Sequence, residues 1–213
     1  MISRRIVHVS DLHIGASRSF LRVARSIRRR LDDEGFDHVV ITGDLTHRGR
    51  PSELRDFDEV FGDLVADGRA TVVPGNHDRL SPSADVRFDP RRRVERRSLG
   101  GLEVVRIDST GPHNRSLLAP HGHLESDDLR EIDRTLAGCD PRSPAIVLLH
   151  HHPVPLPADS WVEGLAGRLG WLRTEELSRG KDLLDLVRGR CDLVLHGHRH
   201  VPHHHVPFPG DVR

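Results

Sequence analysis

The chain has 213 residues, of which 36% are hydrophobic, enough for one domain with a substantial core. Its 32 Lys and Arg residues balance 32 Asp and Glu residues, so no net charge attracts nucleic acid or an anionic membrane. No apolar run approaches the ~20 residues of a membrane span, and the first ten residues lack a signal-peptide pattern. We therefore expect a single domain over residues 1–213, located in the cytoplasm and without membrane contact.

Short apolar runs alternate with amphipathic segments, the pattern of an α/β protein. In chain order we predict a strand at 5–10, a helix at 18–34, a strand at 38–42, a helix at about 52–66 and a strand at 70–73. Residues 80–99 show no period, and then come a strand at 102–108, a helix at 126–137 and a strand at 145–149. A long loop at 154–170, a helix at 174–188 and strands at 191–195 and 203–208 complete the chain.

Two helices carry further signals. Ser52 and Ser126 are predicted N-caps, because a serine side chain can accept the unpaired N–H groups of a first helical turn. The helix at 18–34 has apolar side chains at helical spacing, and we expect its buried face to be formed by Phe20, Val23, Ala24, Ile27 and Leu31.

Five polar clusters each follow a predicted strand. They are Asp11-Leu-His13, Gly43-Asp44, Gly75-Asn76-His77-Asp78, His150-His151-His152-Pro153 and Gly197-His198-Arg199-His200. Ligands of open α/β sheets bind at the carboxyl edge of the strands, where all five clusters would emerge. Two carboxylates, one carboxamide and at least four imidazoles form a donor set that suits a pair of divalent cations.

Most clusters taken alone also have an ordinary structural explanation. Asp11 and Asp44 could cap turns, and residues 76–78 could form a simple turn. The three imidazoles at 150–152 are harder to explain, because an apolar strand end offers no polar partners. The run at 203–205 is better explained as a surface histidine patch.

The order D-x-H, G-D, G-N-H-D, H-x-P and G-H-x-H, from Asp11 to His200, resembles the calcineurin-like metallophosphoesterase family. The resemblance implies a four-layer α/β/β/α sandwich of two mixed β-sheets flanked by helices. It also implies a dinuclear metal centre at one edge of the sheets.

The resemblance assigns the metal ligands by motif. One cation would take Asp11, His13, Asp44 and His200; the other would share Asp44 and take Asn76, His151 and His198. His151 matches the H-x-P register because Pro153 stands two residues after it. Manganese, iron, zinc, nickel and cobalt all suit such mixed oxygen and nitrogen donors.

The resemblance also assigns catalytic roles to His77 and Asp78. His77 would face the substrate phosphate and donate a proton to the leaving oxygen, and Asp78 would hold His77 protonated. Two divalent cations lower the pKa of a bridging water, so a hydroxide is available at neutral pH to attack the phosphorus in line.

Further segments are similar to the bacterial cyclic-nucleotide phosphodiesterase branch of the family. They are residues 43–46, 75–78, 107–110 and 122–124, and the helix that starts at Ser126. This similarity implies a small-molecule phosphodiester substrate, with 3',5'-cyclic nucleotides first and a broader range of phosphodiesters second.

Three other functions compete with this one. Five arginines within residues 91–97 could contact the phosphates of a nucleic acid, as in a nuclease, although zero net charge favours a solvated segment. A non-catalytic interaction scaffold is disfavoured because every ligand position holds a suitable donor. A structural zinc site is disfavoured because such sites favour Cys over Asp and Asn.

The cysteines and the C-terminal residues give two more expectations. Cys139 and Cys191 are far apart and lack a C-x-x-C spacing, so we expect thiols rather than a disulfide. The family resemblance implies further strands after His200, whereas thirteen residues follow it here. Because an uncovered strand edge invites pairing, we expect a homodimer.

Overall fold

The computed structural model describes residues 4–154 and 177–200. Its first sheet has three parallel strands in the order β1-β2-β3, which are Ile6–Val9, His38–Thr42 and Ala70–Val73. Helices α1 (Arg18–Glu34) and α2 (Pro51–Ala66) connect these strands. In this order the strand that ends before Asp44 lies between the other two.

The second sheet is mixed. Its order is β4-β5-β7-β9, which are Val94–Ser98, Glu103–Ile107, Ala145–Leu148 and Leu193–Leu195. Strand β4 pairs antiparallel with β5, and the other pairs are parallel. The short strands β6 (Gly122–His123) and β8 (Leu177–Ser178) pair separately. Helices α3 (Ser126–Ala137) and α4 (Gly180–Val187) and the 3₁₀ helices Asp78–Leu80, Pro82–Val86 and Pro112–Arg115 complete the described elements.

Side chains on alternate faces of the strands form three clusters of buried apolar residues, one between the sheets and one on the outer face of each sheet. Val39 and Ile41 point to the α1 and α2 side, where they pack in one cluster with Phe57 and Phe61. Val40 belongs instead to the cluster between the two sheets, formed with Val73, Val104, Ile146 and Leu148. The third cluster joins the outer face of the second sheet to α3 and α4 through Val105, Ile107, Val147, Ile132 and Leu183. This arrangement confirms the predicted α/β/β/α sandwich. Of the two sheets expected to be mixed, only the second is mixed among the described residues, since the first has parallel pairs alone.

The predicted bounds of α1, α3, β2 and β3 coincide with the structure. Strand β4 lies in the segment without a period, because it is rich in arginine and has little apolar alternation to reveal a strand. Helix α4 begins at Gly180 rather than residue 174, since β8 occupies residues 177–178. The loop predicted at 154–170, except for its first residue, and the strand predicted at 203–208 lie outside the described residues.

The predicted serine caps were wrong. Helices α2 and α3 are capped at Arg50 and Glu125, because acidic side chains three residues further on reach back to those backbone N–H groups. Glu53 Oε2 accepts from the N–H of Arg50 at 3.2 Å, and Asp128 Oδ2 accepts from the N–H of Glu125 at 2.7 Å.

The predicted buried face of α1 is only partly correct. Ala24 and Leu31 are buried and Ile27 is half-buried, whereas Phe20 is 40% exposed and Val23 is 56% exposed. Phe20 lies in the first turn of the helix, next to His13, with the ring centroids 6.5 Å apart. The first apolar side chains of α1 therefore lie outside the core, and only the later ones are buried in it.

No helix in the described part of the chain is both long enough and apolar enough to cross a membrane. Cys139 and Cys191 are half-buried and pack against the cluster between the second sheet and its helices.

Acid stability should depend on His38, which is buried in β2 with its Nε2 2.8 Å from Thr71 Oγ1. Burial, together with the charge of Arg97, lowers the pKa of His38 from 6.5 to about 4. Between these values the unfolded chain binds more protons, so stability falls as pH is lowered from 6.5 to 4. We expect this group to cost about 2–3 kcal/mol by pH 4.5.

The measurement is urea unfolding of metal-free protein at pH 7.0 and 4.5, for the wild type and His38→Asn. The wild type should lose more stability than the variant over this range. Equal losses would show that His38 does not titrate in this way.

Candidate metal centre

The five polar clusters follow the carboxyl ends of β1, β2, β3, β7 and β9, as the alternation of elements predicts. These loops are joined by backbone hydrogen bonds. The N–H of Asp11 donates to the carbonyl of Gly43 at 3.1 Å, and the N–H of Gly197 donates to the carbonyl of His150 at 2.9 Å. The clusters therefore meet at one edge shared by both sheets.

The first donor group contains Asp11, His13, Asp44 and His200, with one potential ligand atom from each residue within 4.8 Å of the others. His13 Nε2 lies 3.0 Å from His200 Nε2 and 3.6 Å from Asp44 Oδ2. His200 Nε2 lies 3.5 Å from Asp11 Oδ1. These are the four residues that the family resemblance assigns to one cation.

The second donor group contains Asn76, His150 and His198, and it also adjoins Asp44. Asn76 Oδ1 lies 3.1 Å from both His150 Nε2 and His198 Nδ1. His150 Nε2 lies 3.3 Å from His198 Nδ1 and 3.5 Å from Asp44 Oδ1. The two oxygens of Asp44 therefore face different groups, Oδ2 the first and Oδ1 the second.

His151, the residue predicted from the H-x-P register, is engaged elsewhere. It is close enough to His150 and His198 to be grouped with them, but both of its ring nitrogens have protein partners. Nδ1 lies 2.8 Å from Ser109 Oγ, and Nε2 lies 2.9 Å from the carbonyl of Pro120. The geometry therefore favours His150 over His151 as the donor next to Asn76.

Five of the candidate ligands adopt left-handed backbone conformations, which non-glycine residues rarely do. They are Asp11, His13, Asp44, His198 and His200, with φ values of 56°, 42°, 49°, 80° and 54°. In the described part of the chain, Arg179 is the one other non-glycine residue with positive φ. Such clustering of strained backbone is typical of functional sites.

Two glycines make the close approach of the clusters possible. A Cβ atom at Gly75 would collide with the Asp44 carboxylate, and a Cβ atom at Gly43 would collide with the His150 ring. Glycine in the G-D and G-N motifs is therefore required by packing around Asp44.

The charged groups of the site favour the presence of positive charge between them. Burial alone would raise the pKa of Asp44, but His150, His77 and His13 outweigh it and lower that pKa. Burial likewise opposes protonation of His150, but Asp44 and Asp11 raise its pKa to about 9. The two carboxylates therefore favour positive charge at this place in the site.

The donor chemistry fits divalent transition metals. Imidazole nitrogens and carboxylate oxygens are ligands of intermediate character that suit these ions. Burial lowers the pKa of His13 to about 4 and that of His198 to about 2, which keeps both rings neutral and able to bind a metal. His13 Nδ1 is buried without a hydrogen-bond partner among the described residues.

His77 and Asp78 do not form the expected pair. His77 Nδ1 donates instead to the carbonyl of His47 at 2.8 Å. The Asp78 carboxylate is fully buried and accepts hydrogen bonds from the N–H groups of Leu45, Thr46 and Gly75 at 2.9–3.2 Å. Asp78 therefore connects two loops of the site, and the predicted role of holding His77 protonated was wrong.

Sequence reasoning missed His47. Its ring forms a third donor group with His13 and His77, with one nitrogen from each within 4.8 Å of the others. The position three residues after Asp44, in the same motif-bearing loop, was the available signal.

The α/β/β/α sandwich, with paired donor groups at one edge of its sheets, is the arrangement of a metallophosphoesterase domain. Residues 4–202 match the calcineurin-like phosphoesterase family, and the chain belongs to that family.

Curated relatives include cyclic-nucleotide enzymes. The chain is 30% identical over 177 residues to the 3',5'-cyclic adenosine monophosphate phosphodiesterase CpdA of Escherichia coli K12, covering 75% of this chain and 58% of the relative. It is 27% identical over 213 residues to a cAMP/cGMP dual specificity phosphodiesterase of Mycobacterium tuberculosis, covering 92% of this chain and 61% of the relative. The chain thus spans about 60% of the length of these relatives.

Solved structures share the fold. A dimetal phosphatase from Danio rerio superposes with a TM-score of 0.64 at 15% identity, covering 92% of this chain and 82% of that one. A purple acid phosphatase from yellow lupin gives a TM-score of 0.60 at 17% identity, covering 92% of this chain and 38% of that one.

Substitutions of His150 and His151 should show which of the two binds a metal and which only stabilises the fold. We expect His150→Ala to lose about one of two bound metal equivalents, because its Nε2 adjoins Asn76, His198 and Asp44. His151→Gln should keep both equivalents while losing stability, because it disturbs the contacts with Ser109 and Pro120. Metal content by inductively coupled plasma mass spectrometry and thermal unfolding are the measurements, and the reverse pattern would restore His151 as the ligand.

Proposed function

We propose that this chain hydrolyses phosphodiester bonds at a dinuclear metal centre and that 3',5'-cyclic nucleotides are its preferred substrates. The observation that carries the proposal is the position of Asp44 between two donor groups, with one oxygen toward each. Family membership supports phosphoester hydrolysis, and the names of the relatives support a cyclic nucleotide.

We assign the ligands from the geometry of the donors. One cation would be held by Asp11, His13, Asp44 and His200, and the second by Asp44, Asn76, His150 and His198. Bound divalent cations supply Lewis acidity toward a phosphoryl oxygen and make a coordinated water more acidic. Manganese, iron, zinc, nickel and cobalt are all compatible with this donor set.

His77 is the proposed proton donor to the leaving oxygen. Its Nδ1 donates to the carbonyl of His47, so that hydrogen bond fixes the ring and directs proton exchange to Nε2. The backbone N–H of His77 donates to Asp44 Oδ1 at 2.9 Å, which holds the residue beside the metal ligands. Asp78 acts as a positioning residue through the loops that it joins.

A nuclease is less well supported than a small-molecule phosphodiesterase. Two arginines of residues 91–97 have partly or fully buried acidic partners: Arg93 pairs with Asp128, and Arg96 pairs with Glu103. Arg91 pairs with the neighbouring Asp89 but is exposed. Arg93 also donates to the carbonyls of Thr110 and His123. These contacts give Arg93 a structural role, which reduces the number of arginines available to a nucleic acid. A homodimer and a cytoplasmic location stay predictions.

Asp44→Asn should remove most metal and most activity, because an amide cannot supply two anionic oxygens to two cations. We expect turnover of bis(p-nitrophenyl) phosphate to fall at least about 1,000-fold, and metal content to fall below one equivalent. Asp67→Asn, the same change at an exposed residue, serves as the control. Near-normal hydrolysis by Asp44→Asn would refute the assignment.

A substrate panel on manganese-reconstituted protein tests the proposed specificity. It compares cyclic AMP, cyclic GMP, a 2',3'-cyclic nucleotide, bis(p-nitrophenyl) phosphate, a phosphomonoester and DNA. We expect the highest kcat/KM for a 3',5'-cyclic nucleotide. Faster hydrolysis of DNA, or of the 2',3'-cyclic nucleotide, would redirect the substrate assignment while leaving the metal centre intact.

A further inference from the structure

His47 is a half-buried imidazole that no role described so far employs. It lies three residues after Asp44, and no hydrogen bond joins its ring to another residue in the described part of the chain. Its ring centroid is 5.4 Å from that of His77 and 6.1 Å from that of His13. The ring therefore borders both the proposed proton donor and a proposed metal ligand.

The backbone around His47 is held firmly. Its N–H donates to the carbonyl of Ile14 at 2.9 Å, and its carbonyl accepts from His77 Nδ1 at 2.8 Å. The turn that follows is fixed by Thr46 Oγ1, which accepts from the N–H of Gly49 at 3.0 Å. The position of His47 is therefore fixed through its backbone, while its half-buried ring can hydrogen-bond to water or to a ligand.

The spacing of the nitrogens allows a phosphoryl group to lie between them. His13, His47 and His77 each have one ring nitrogen that lies within 4.8 Å of the corresponding nitrogens of the other two. Two hydrogen bonds of about 2.8 Å can span up to about 5.6 Å, so a phosphoryl group between His47 and His77 is within reach of both. Because His13 belongs to the first donor group, this position lies on the metal centre itself.

We propose that His47 is a further substrate-binding residue whose ring N–H donates to a non-bridging oxygen of the scissile phosphodiester. The inference rests on the proposed function and adds a residue to it: His77 serves the leaving oxygen, and His47 holds the phosphoryl group. A neutral imidazole supplies one N–H, which is sufficient for one such hydrogen bond.

The experiment measures bis(p-nitrophenyl) phosphate hydrolysis and inhibition by inorganic phosphate on manganese-loaded protein. His47→Ala should lower kcat/KM by roughly 10- to 100-fold, mainly through a higher KM, and raise the phosphate inhibition constant about as much. His47→Asn and His47→Gln carry an amide N–H near the positions of Nδ1 and Nε2, and one of them should recover most of the loss. Arg48→Ala, an exposed neighbour in the same turn, is the matched control and should change neither constant more than threefold.

Metal content separates this role from metal ligation. All His47 variants should keep the wild-type metal content. Loss of metal in His47→Ala would make the residue a ligand and overturn the proposal, as would an unchanged phosphate inhibition constant or no recovery by either amide. If the wild type hydrolyses no phosphodiester, the proposed function fails. Calorimetric binding of inorganic phosphate to the wild type and His47→Ala still tests His47 in that case.

Discussion

The geometry of the site depends on where one buried carboxylate, that of Asp44, lies in the order of strands. Strand β2 is the central strand of the first sheet, with β1 on one side and β3 on the other. The loop after β1 carries Asp11 and His13, and the loop after β3 carries Asn76. A carboxylate on the middle strand can therefore direct one oxygen to each side. The second sheet completes both groups with residues that follow β7 and β9.

Contacts behind the donors keep these loops in place. Ser109 Oγ accepts from the N–H groups of both His150 and His151, at 3.3 and 3.2 Å. The guanidinium of Arg79 is buried, donates to Thr110 Oγ1 at 3.0 Å and pairs with Asp108, so it ties the third-strand loop to the loop that carries Ser109. Besides its contact with the His151 ring, Ser109 thus holds two backbone N–H groups, which constrains the chain here independently of the donor side chains.

Local periodicity in the sequence predicted the α/β class and most element bounds, because these features are local. The layers and the grouping of the donors came from the order of the strand-end motifs and the family resemblance that it carries. Which of His150 and His151 lies beside Asn76 depends on how the chain turns after β7, where Ser109, some forty residues away, accepts from both backbone N–H groups. Asp78 was misjudged for a similar reason. Its hydrogen-bond partners Leu45 and Thr46 belong to another loop, so adjacency to His77 in the sequence was misleading. Strand β4 was missed because its side chains lack apolar alternation.

The left-handed backbone at five donors has a consequence for the lifetime of the protein. Each such residue costs about 1 kcal/mol, and the group as a whole therefore lowers the stability of the metal-free chain by several kcal/mol. A cation that binds the folded form alone restores stability by RT ln(1 + [L]/Kd), which grows with its free concentration. When a cell is starved of transition metals, the chain would open more often and be degraded faster. The amount of this protein would then follow the metal supply without any dedicated regulator.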